Sequence, residues 1–301
     1  MAVAINMNIQ FIKHYKLYYF ISGILILASI ICLAKFGLKF SIDFLGGSIL
    51  EVEFETTPAN SVIRENLNKF DLGEITIQPT GEKGIILRLK SIDETAHQQI
   101  LSSLNKISPV EEKRFESIGP TIGRELRGKT ALLIIVSLIS LLIYIAVAFR
   151  KISGTISSWQ YGVVSIITLA FDVLIPIAVF ALLGKIYNIQ FNIPIVAALL
   201  TILGYTINDK VIVFDRVREN LLRSREENFE ELVNQSLNQI IGRSLSTGAC
   251  TLLILFSLFF FGGETLKYFA LTLIIGIVIG TYSSLFIASP LLISWEKWRR
   301  K

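Results

Sequence analysis

Cysteine, histidine and charged side chains are scarce in this sequence. Two cysteines and two histidines occur among 301 residues, and charged residues make up 18% of the chain. Cys32 and Cys250 each lie inside an apolar run, which is not the loop-rich pattern of a disulfide framework. His14 and His97 lie far apart along the chain. We therefore expect no disulfide scaffold, no metal site, no cofactor and no residue for covalent catalysis.

Apolar residues are correspondingly abundant. They make up 52% of the chain and give a mean hydropathy of +0.60, which exceeds the usual value for a soluble domain. A helix of about 20 apolar residues can cross a bilayer, and the sequence contains six such runs. They are Leu17 to Ala34, Thr130 to Phe149, Gly162 to Leu183, Phe191 to Phe214, about Leu237 to Phe261, and about Leu266 to Trp295. No small-residue cleavage site follows the first run, so we expect a retained anchor rather than a signal peptide.

The net charge of +5 could suggest a nucleic-acid partner, but its placement indicates a membrane topology instead. Basic residues cluster after the even-numbered spans, at 150–151, 216–225 and 297–301. Cytoplasmic loops of membrane proteins carry such an excess of Lys and Arg. Both termini and the 215–236 segment are therefore predicted to be cytoplasmic, in a multi-pass inner-membrane protein that binds no nucleic acid.

A polar segment over 40–129 separates the first two spans and is predicted to lie outside the cytoplasm. Its alternation predicts strands over 49–54, 74–77, 85–89 and 110–118, and its helical spacing predicts helices over 61–70 and 95–107. The order β-α-β-β-α-β is that of the ferredoxin-like split βαβ arrangement. Asp43 to Gly47 is predicted to form a tight turn, since paired glycines permit positive φ.

The predicted fold class is thus an α-helical membrane bundle of six transmembrane helices with one small α+β, ferredoxin-like, extracytoplasmic domain. Residues 1–39 form the cytoplasmic N-terminus and first transmembrane helix, and 40–129 form the periplasmic domain. Residues 130–295 form a five-helix transmembrane region that contains the cytoplasmic segment 215–236. Residues 296–301 are a basic cytoplasmic tail.

One motif points to a different class of protein. Gly123 to Thr130 matches the phosphate-loop pattern G-x-x-x-x-G-K-[ST], and Val211 to Asp215 imitates the acidic strand of such ATPases. A phosphate loop must open an amphipathic helix within a βαβ unit. This match opens an apolar span on the side predicted to lack ATP. We therefore interpret Arg124, Arg127 and Lys129 as interfacial anchors of a helix end.

Ionisable residues inside the predicted spans are the candidate functional residues. Such groups are costly in a membrane and are kept where they face a bundle interior or a water-filled path. Asp209 lies in the fourth span, with Tyr205 and Asn208 on one supporting polar face. Asp172 lies near the middle of the third span, where a functional carboxylate and a structural hydrogen-bonded group remain equal alternatives. Lys210 lies off this polar face and is expected to extend toward the headgroups.

The fifth span carries Arg243, with Thr247 near the same stripe. Asp209 and Arg243 each lie about 9 Å inside their helix ends, at 1.5 Å per residue. Because the two spans are antiparallel, these charges are expected to lie level and to pair, although an unpaired Arg243 that reaches the headgroups is the alternative. In the sixth span, Gly276 and Gly280 predict a face for close helix packing.

Three strings of the sequence resemble those of the SecF members of the SecD/SecF family, within the resistance-nodulation-division superfamily. They are GYTINDKVIVFDRVREN at 204–220, IDFLGG at 42–47 and GTYSSLFIASP at 280–290. The resemblance covers nearly the whole chain. It implies six spans with one ferredoxin-like periplasmic domain, and a role in protein export rather than in covalent catalysis.

The resemblance also implies partners and a mechanism. Its members pair with SecD, associate with the SecYEG channel and YajC, and use the proton motive force to promote preprotein export after the step driven by SecA. Asp209 and Arg243 match the proton-pathway carboxylate and arginine of the family, and Asp172 matches its third-span aspartate.

Two other classes of function are less consistent with the residues. An intramembrane aspartyl protease would use two carboxylates on adjacent spans, but its second motif has glycine two residues before the aspartate, where this chain has Ile207. A stand-alone transporter of a small molecule or lipid would need a second six-span half, which the 301 residues do not contain.

Overall fold

The structure is a computed structural model that describes residues 9–81, 83–148, 158–223 and 228–300. The chain divides into two compact units. One comprises Met1–Lys39 and Ile134–Lys301, and the other comprises Phe40–Leu133.

Strands occur within the smaller unit, where they alternate with helices, and the described elements of the larger unit are helical. In chain order, the helices and strands are α1 (Tyr15–Phe36), α2 (Ile42–Leu45), β1 (Gly47–Phe54), α3 (Asn60–Leu67), β2 (Thr76–Thr80), β3 (Gly84–Leu89), α4 (Glu94–Asn105), β4 (Val110–Ile118), α5 (Pro120–Ala148), α6 (Ser158–Tyr187), α7 (Ile193–Arg223), α8 (Phe229–Phe261), α9 (Glu264–Ser283) and α10 (Ser289–Arg300). A 3-10 turn (Ile12–His14) precedes α1, and a π-helical turn (Ser284–Ala288) joins α9 to α10.

The smaller unit contains an antiparallel four-stranded sheet with the order β2-β3-β1-β4. In β1, Leu50, Val52 and Phe54 alternate with Glu51 and Glu53, so one face of the strand is buried and the other carries charge. The buried face packs on apolar residues of α3 and α4. The predicted β-α-β-β-α-β arrangement is confirmed.

The tight turn predicted at Asp43 to Gly47 contains a single helical turn, α2, followed by two glycines. Gly46 has φ of 77° and Gly47 has φ of 136°, values that side chains other than glycine rarely adopt. A Cβ at Gly46 would lie 2.8 Å from the Pro120 Cα atom, and a Cβ at Gly123 would lie 2.8 Å from the Gly46 nitrogen. Gly123 is therefore required for a close approach of two backbone segments, which explains the first glycine of the apparent phosphate loop.

The larger unit contains the helices that are long and apolar enough to cross a membrane. One of them, α5, begins in the smaller unit. The described residues contain six such helices, as predicted. Half of the most apolar stretch in α6 and in α7 is buried inside the chain, whereas only 6% of that in α5 is buried. The core of the bundle is therefore built from α6, α7 and the last span, while most of α5 is open to lipid or to a partner.

The segment over 215–236 contains the end of α7 and the start of α8. Helix α7 continues without a break to Arg223, and α8 already begins at Phe229. Phe229 and Val233 are buried in the same apolar cluster as Phe214. The described apolar residues of this segment thus extend the packed faces of α7 and α8. Residues 224–227 lie outside the described residues.

The phosphate-loop match folds as helix throughout. Gly123 to Thr130 lies within the first turns of α5, where Lys129 pairs with Glu125 at 2.7 Å and both side chains are exposed. In a phosphate loop the backbone N–H groups point toward the phosphates, whereas in a helix they point along the helix axis. The helical segment therefore cannot surround a phosphate chain as a loop does.

We expect the purified protein to show no saturable ATP binding and Lys129→Ala to leave its function intact, because the exposed Lys129–Glu125 pair spans one helical turn and contributes little to stability. Equilibrium binding of radiolabelled ATP to the wild type and the variant checks this. Saturable binding that the substitution removes would restore the ATPase interpretation.

Candidate functional site

Asp172 of α6 and Lys210 of α7 form an ion pair inside the helix bundle. The Lys210 Nζ atom lies 2.5 Å from the Asp172 Oδ2 atom, and both side chains are completely buried. The expectation that Lys210 extends toward the headgroups is wrong. Burial of either charge alone would cost several kcal/mol, so each group depends on the other.

The distances of Asp172 and Lys210 from the connection between α6 and α7 could have indicated that the two residues pair. Asp172 lies 15 residues before the end of α6 at Tyr187, and Lys210 lies 17 residues after the start of α7 at Ile193. At 1.5 Å per residue these positions are about 23 and 26 Å from a shared short connection. Antiparallel neighbours with such matched distances bring the two residues to the same depth.

Asp209 lies next to Lys210 but faces a different helix. Its Oδ1 atom accepts a hydrogen bond of 2.7 Å from the Ser244 hydroxyl of α8, and its side chain is half-buried. Consecutive residues of an α-helix are rotated by about 100°, so Lys210 can turn to α6 while Asp209 turns to α8. Among the described residues, α7 thus contributes Lys210 to a buried ion pair and Asp209 to a hydrogen bond with a neutral hydroxyl.

Arg243 does not occupy the place expected of it. Its side chain is exposed, and no ion pair joins it to Asp209 in the described part of the chain. The depth estimate placed Arg243 and Asp209 level, but Ser244, one residue later, faces α7. Because one residue rotates the side chain by about 100°, Arg243 turns to the uncovered side of α8.

The remaining predicted polar residues lie outside the buried site. Asn208 and Thr247 are exposed, and Tyr205 is half-buried. Thr206, which lies between Tyr205 and Ile207 and was not predicted, is buried at 1% exposure. The polar face of α7 is therefore only partly covered by this chain, and the completely buried polar side chains of α7 are those of Thr206 and Lys210.

Gly276 and Gly280 bring α9 against α7 beside the ion pair. A Cβ at Gly276 would lie 2.1 Å from the Ile202 Cδ1 atom, and one at Gly280 would lie 2.0 Å from the Thr206 Cγ2 atom. The same Gly280 position is 3.8 Å from the Asp172 Oδ2 atom. The helices approach closely because neither position carries a side chain.

A π-helical turn begins one turn after Gly280. Ser283 and Ser284 are completely buried there and donate hydrogen bonds to the Gly280 carbonyl oxygen, at 3.1 and 2.7 Å. Single π turns inside α-helices are frequent at functional sites. The last span is therefore irregular one turn beyond Gly280, the position that approaches Thr206 and Asp172.

Three buried oxygen atoms of this region accept no hydrogen bond from the described residues. They are the Asp172 Oδ1, Thr206 Oγ1 and Asp209 Oδ2 atoms. Buried polar atoms are normally hydrogen-bonded to protein or to water. These lone pairs are available to a water molecule or a proton. Within the described ranges, no group of three or more His, Cys, Asp or Glu side chains is placed to hold a metal ion.

The fold and site together define a polytopic membrane protein with ionisable side chains buried between its helices and a ferredoxin-like domain between its first two spans. Two family models match the chain. One, described as protein export membrane protein SecD/SecF, C-terminal, covers residues 98–298, and the SecD/SecF GG motif covers residues 33–58. The chain belongs to the SecD/SecF family of protein export membrane proteins. It is a multi-pass inner-membrane protein with the role of a protein-translocase subunit.

Relatives of similar length carry the name protein translocase subunit SecF. That of Thermobaculum terrenum is 40% identical over 93% of this chain and 91% of its own length. That of Anaerolinea thermophila is 38% identical over 94% of this chain and 93% of its own length. The crystal structure of SecDF from Thermus thermophilus, described as a translocon-associated membrane protein, matches 99% of this chain with a TM-score of 0.85 and 31% identity. This chain covers 40% of that larger protein.

Proposed function

We propose that this chain pairs with a SecD chain and uses the proton motive force to promote preprotein export through SecYEG, after the step driven by SecA. YajC is expected to associate with the same complex, and SecA to act on it only indirectly. The observation that carries the proposal is Asp209, a carboxylate within a membrane span with one oxygen bonded to Ser244 and the other without a partner among the described residues. We propose no covalent catalysis.

Asp209 is the proposed proton carrier. It can take up a proton on its free oxygen while Ser244 keeps the side chain in place. A charge that falls through the membrane potential releases about 2.3 kcal/mol per 100 mV, which is enough to favour one of two helix arrangements over the other. The export step is driven by this bias.

Arg243 is the proposed release group. It lies one residue from Ser244, on the uncovered side of α8. A rotation of α8 by about 100° would exchange Ser244 for Arg243 opposite Asp209. The guanidinium would then pair with the carboxylate and displace its proton, since Arg holds carboxylates through paired, charge-assisted hydrogen bonds.

The need for a second membrane chain is supported by the uncovered surface of this one. Large apolar side chains are exposed along α5 and α8, for example Leu133, Ile143, Leu253 and Ile254. The solved SecDF protein is also larger than this chain, which covers 40% of it. The rest of such an assembly is supplied here by the proposed SecD chain.

The test is reconstitution in vesicles that contain SecYEG and SecA. Preprotein translocation is followed by protease protection, with and without an imposed proton gradient. We expect the gradient to stimulate translocation only when this chain and its SecD partner are both present. Stimulation without SecD, or gradient-driven flux of a small molecule or lipid through this chain alone, would instead support the stand-alone transporter.

The orientation in the membrane is tested by single cysteines in a chain without native cysteines. Thr57→Cys marks the ferredoxin-like unit and Leu222→Cys marks the end of α7, and both positions are exposed. The Lys and Arg distribution places the first outside and the second in the cytoplasm. In cells with a permeabilised outer membrane and an intact inner membrane, an impermeant thiol reagent should label Thr57→Cys at least tenfold more than Leu222→Cys. Equal labelling would contradict the topology.

A further inference from the structure

We propose that Lys210 and Asp172 form a fixed, charge-neutral pair that positions Asp209, so that Asp209 alone exchanges a proton in this chain. The inference rests on the proposed function and assigns Asp172 a role outside the proton's route. Asp172 and Asp209 are the two acidic residues within the six predicted spans. The structure surrounds them differently.

The pair is enclosed on all sides. Both side chains have no exposed surface, and the distance of 2.5 Å between the Lys210 Nζ and Asp172 Oδ2 atoms is that of a direct ion pair. Removal of one partner would leave an uncompensated buried charge, whereas replacement of both by neutral groups is often tolerated. The two residues therefore behave as one neutral unit.

The packing around the pair leaves it little freedom to separate. Helix α9 approaches at Gly280 so closely that a single added Cβ would lie 2.0 Å from Thr206 and 3.8 Å from the Asp172 Oδ2 atom. The stem of Lys210 is buried along with its ammonium group. A movement of this ammonium to the headgroups would require α6, α7 and α9 to separate.

Asp209 is held much less firmly. It is half-buried, and its one described hydrogen-bond partner is the neutral Ser244 hydroxyl, whereas Asp172 is completely buried with an ammonium partner. One oxygen atom of each carboxylate accepts no hydrogen bond from the described residues, so the two carboxylates differ in burial and in the charge of their partners. Within the predicted spans of α6, α7 and α8, the other charged residues are Asp172 and Lys210, which form the pair, and Arg243 on α8. Because the pair has no net charge, Arg243 is the one of these groups that can change the electrostatic environment of Asp209 by moving.

The two roles are connected through the helix backbone. Lys210 follows Asp209 directly, so a Lys210 side chain bound to α6 determines the rotation of α7 about its axis. That rotation turns Asp209 toward Ser244 on α8. Lys210 and Asp172 are thus positioning residues, and one carboxylate per chain carries a proton in each cycle.

The experiment compares Asp172→Asn, Lys210→Met and a double variant with the two charges exchanged, Asp172→Lys with Lys210→Asp, in the vesicle assay, at equal amounts of SecD-bound protein. The readout is the ratio of translocation with and without the proton gradient, which a purely structural loss of protein does not change. We expect each single variant to lose at least tenfold of the gradient-dependent stimulation. The double variant should keep at least half of it, because it retains an ion pair between α6 and α7 and leaves no unpaired charge.

Adding Asp209→Asn to the double variant should abolish the remaining stimulation. An inactive double variant that still binds SecD, or single variants like the wild type, would overturn the positioning role. If instead Asp209→Asn in the wild-type background retains stimulation, the proposed function fails and not this inference alone.

A measurement on the wild type decides the question even where variants do not assemble. A hydrophobic carbodiimide modifies carboxyl groups that become protonated in the membrane, and mass spectrometry locates the modified residue. We expect modification of Asp209 and none of Asp172, which is completely buried in an ion pair with Lys210. Modification of Asp172 to the same extent as Asp209 would show that Asp172 takes up protons and that the pair is not fixed.

Discussion

Asp209→Asn is expected to abolish the stimulation of export by the proton gradient, a loss of at least tenfold, while the protein still inserts and still binds SecD. An asparagine keeps the size of the side chain and an oxygen that accepts the Ser244 hydrogen bond, but it cannot carry a proton. An aspartate at the centre of a span costs about 2.5 to 3.5 kcal/mol on insertion scales. Its removal should not impair insertion.

The measurement is translocation in vesicles at equal protein levels, with and without the gradient. Asp215→Asn is the matched control, because it makes the same chemical change on the same helix, where the side chain is 66% exposed and 3.6 Å from Arg218. That control should retain the stimulation. If Asp209→Asn responds to the gradient as the wild type does, Asp209 is not the proton carrier.

Gly280→Ala is expected to produce the second large effect, a loss of stability of about 1 to 3 kcal/mol, as is typical of an overpacked core. The new Cβ would lie 2.0 Å from the Thr206 Cγ2 atom and 3.0 Å from its Cβ atom, so α9 and α7 must move apart. Because this contact lies beside Asp172, coupling should fall together with stability. Thermal unfolding in detergent and the vesicle assay measure the two effects.

Two further variants test the cause of this loss. Thr206→Ser removes the Cγ2 atom with which the new Cβ collides, so Gly280→Ala with Thr206→Ser should recover part of the stability. Gly204→Ala places the same substitution on α7, where no atom lies within 4 Å of the new Cβ, and should leave stability unchanged or slightly raised. A double variant no more stable than Gly280→Ala would show that the collision with Thr206 is not the cause.

Much of the fold could be predicted from the sequence, because it depends on patterns within single segments. The length of an apolar run determines whether it can cross a bilayer, so all six spans were found. Strand β1 was recognised from Leu50, Val52 and Phe54 alternating with glutamates, a pattern that decides which face is buried. The phosphate-loop match could be rejected because its context was apolar, and α5 is helical throughout that region.

The candidate site was predictable in part. Asp172 and Asp209 could be recognised as candidate functional residues because a buried carboxylate is costly in a membrane span. The spacing of Gly276 and Gly280 predicted the close packing of α9. The burial of Lys210 was not predicted, because the polar face was defined from the residues of α7 alone. On that basis a residue off the polar face has no partner, whereas the real partner, Asp172, is 38 residues away on another span.

Composition, hydrophobic length and alternation therefore determined, by themselves, that this chain is a six-span membrane protein with a ferredoxin-like domain and carboxylates inside its bundle. Only the tertiary structure decided which polar groups meet. Depth along a helix follows from residue number, but the direction of a side chain depends on the rotation of each helix about its axis. One residue changes that direction by about 100°, and neighbouring helices determine it by packing. For that reason Ser244 contacts Asp209 where Arg243 was expected, and Lys210 is buried against Asp172.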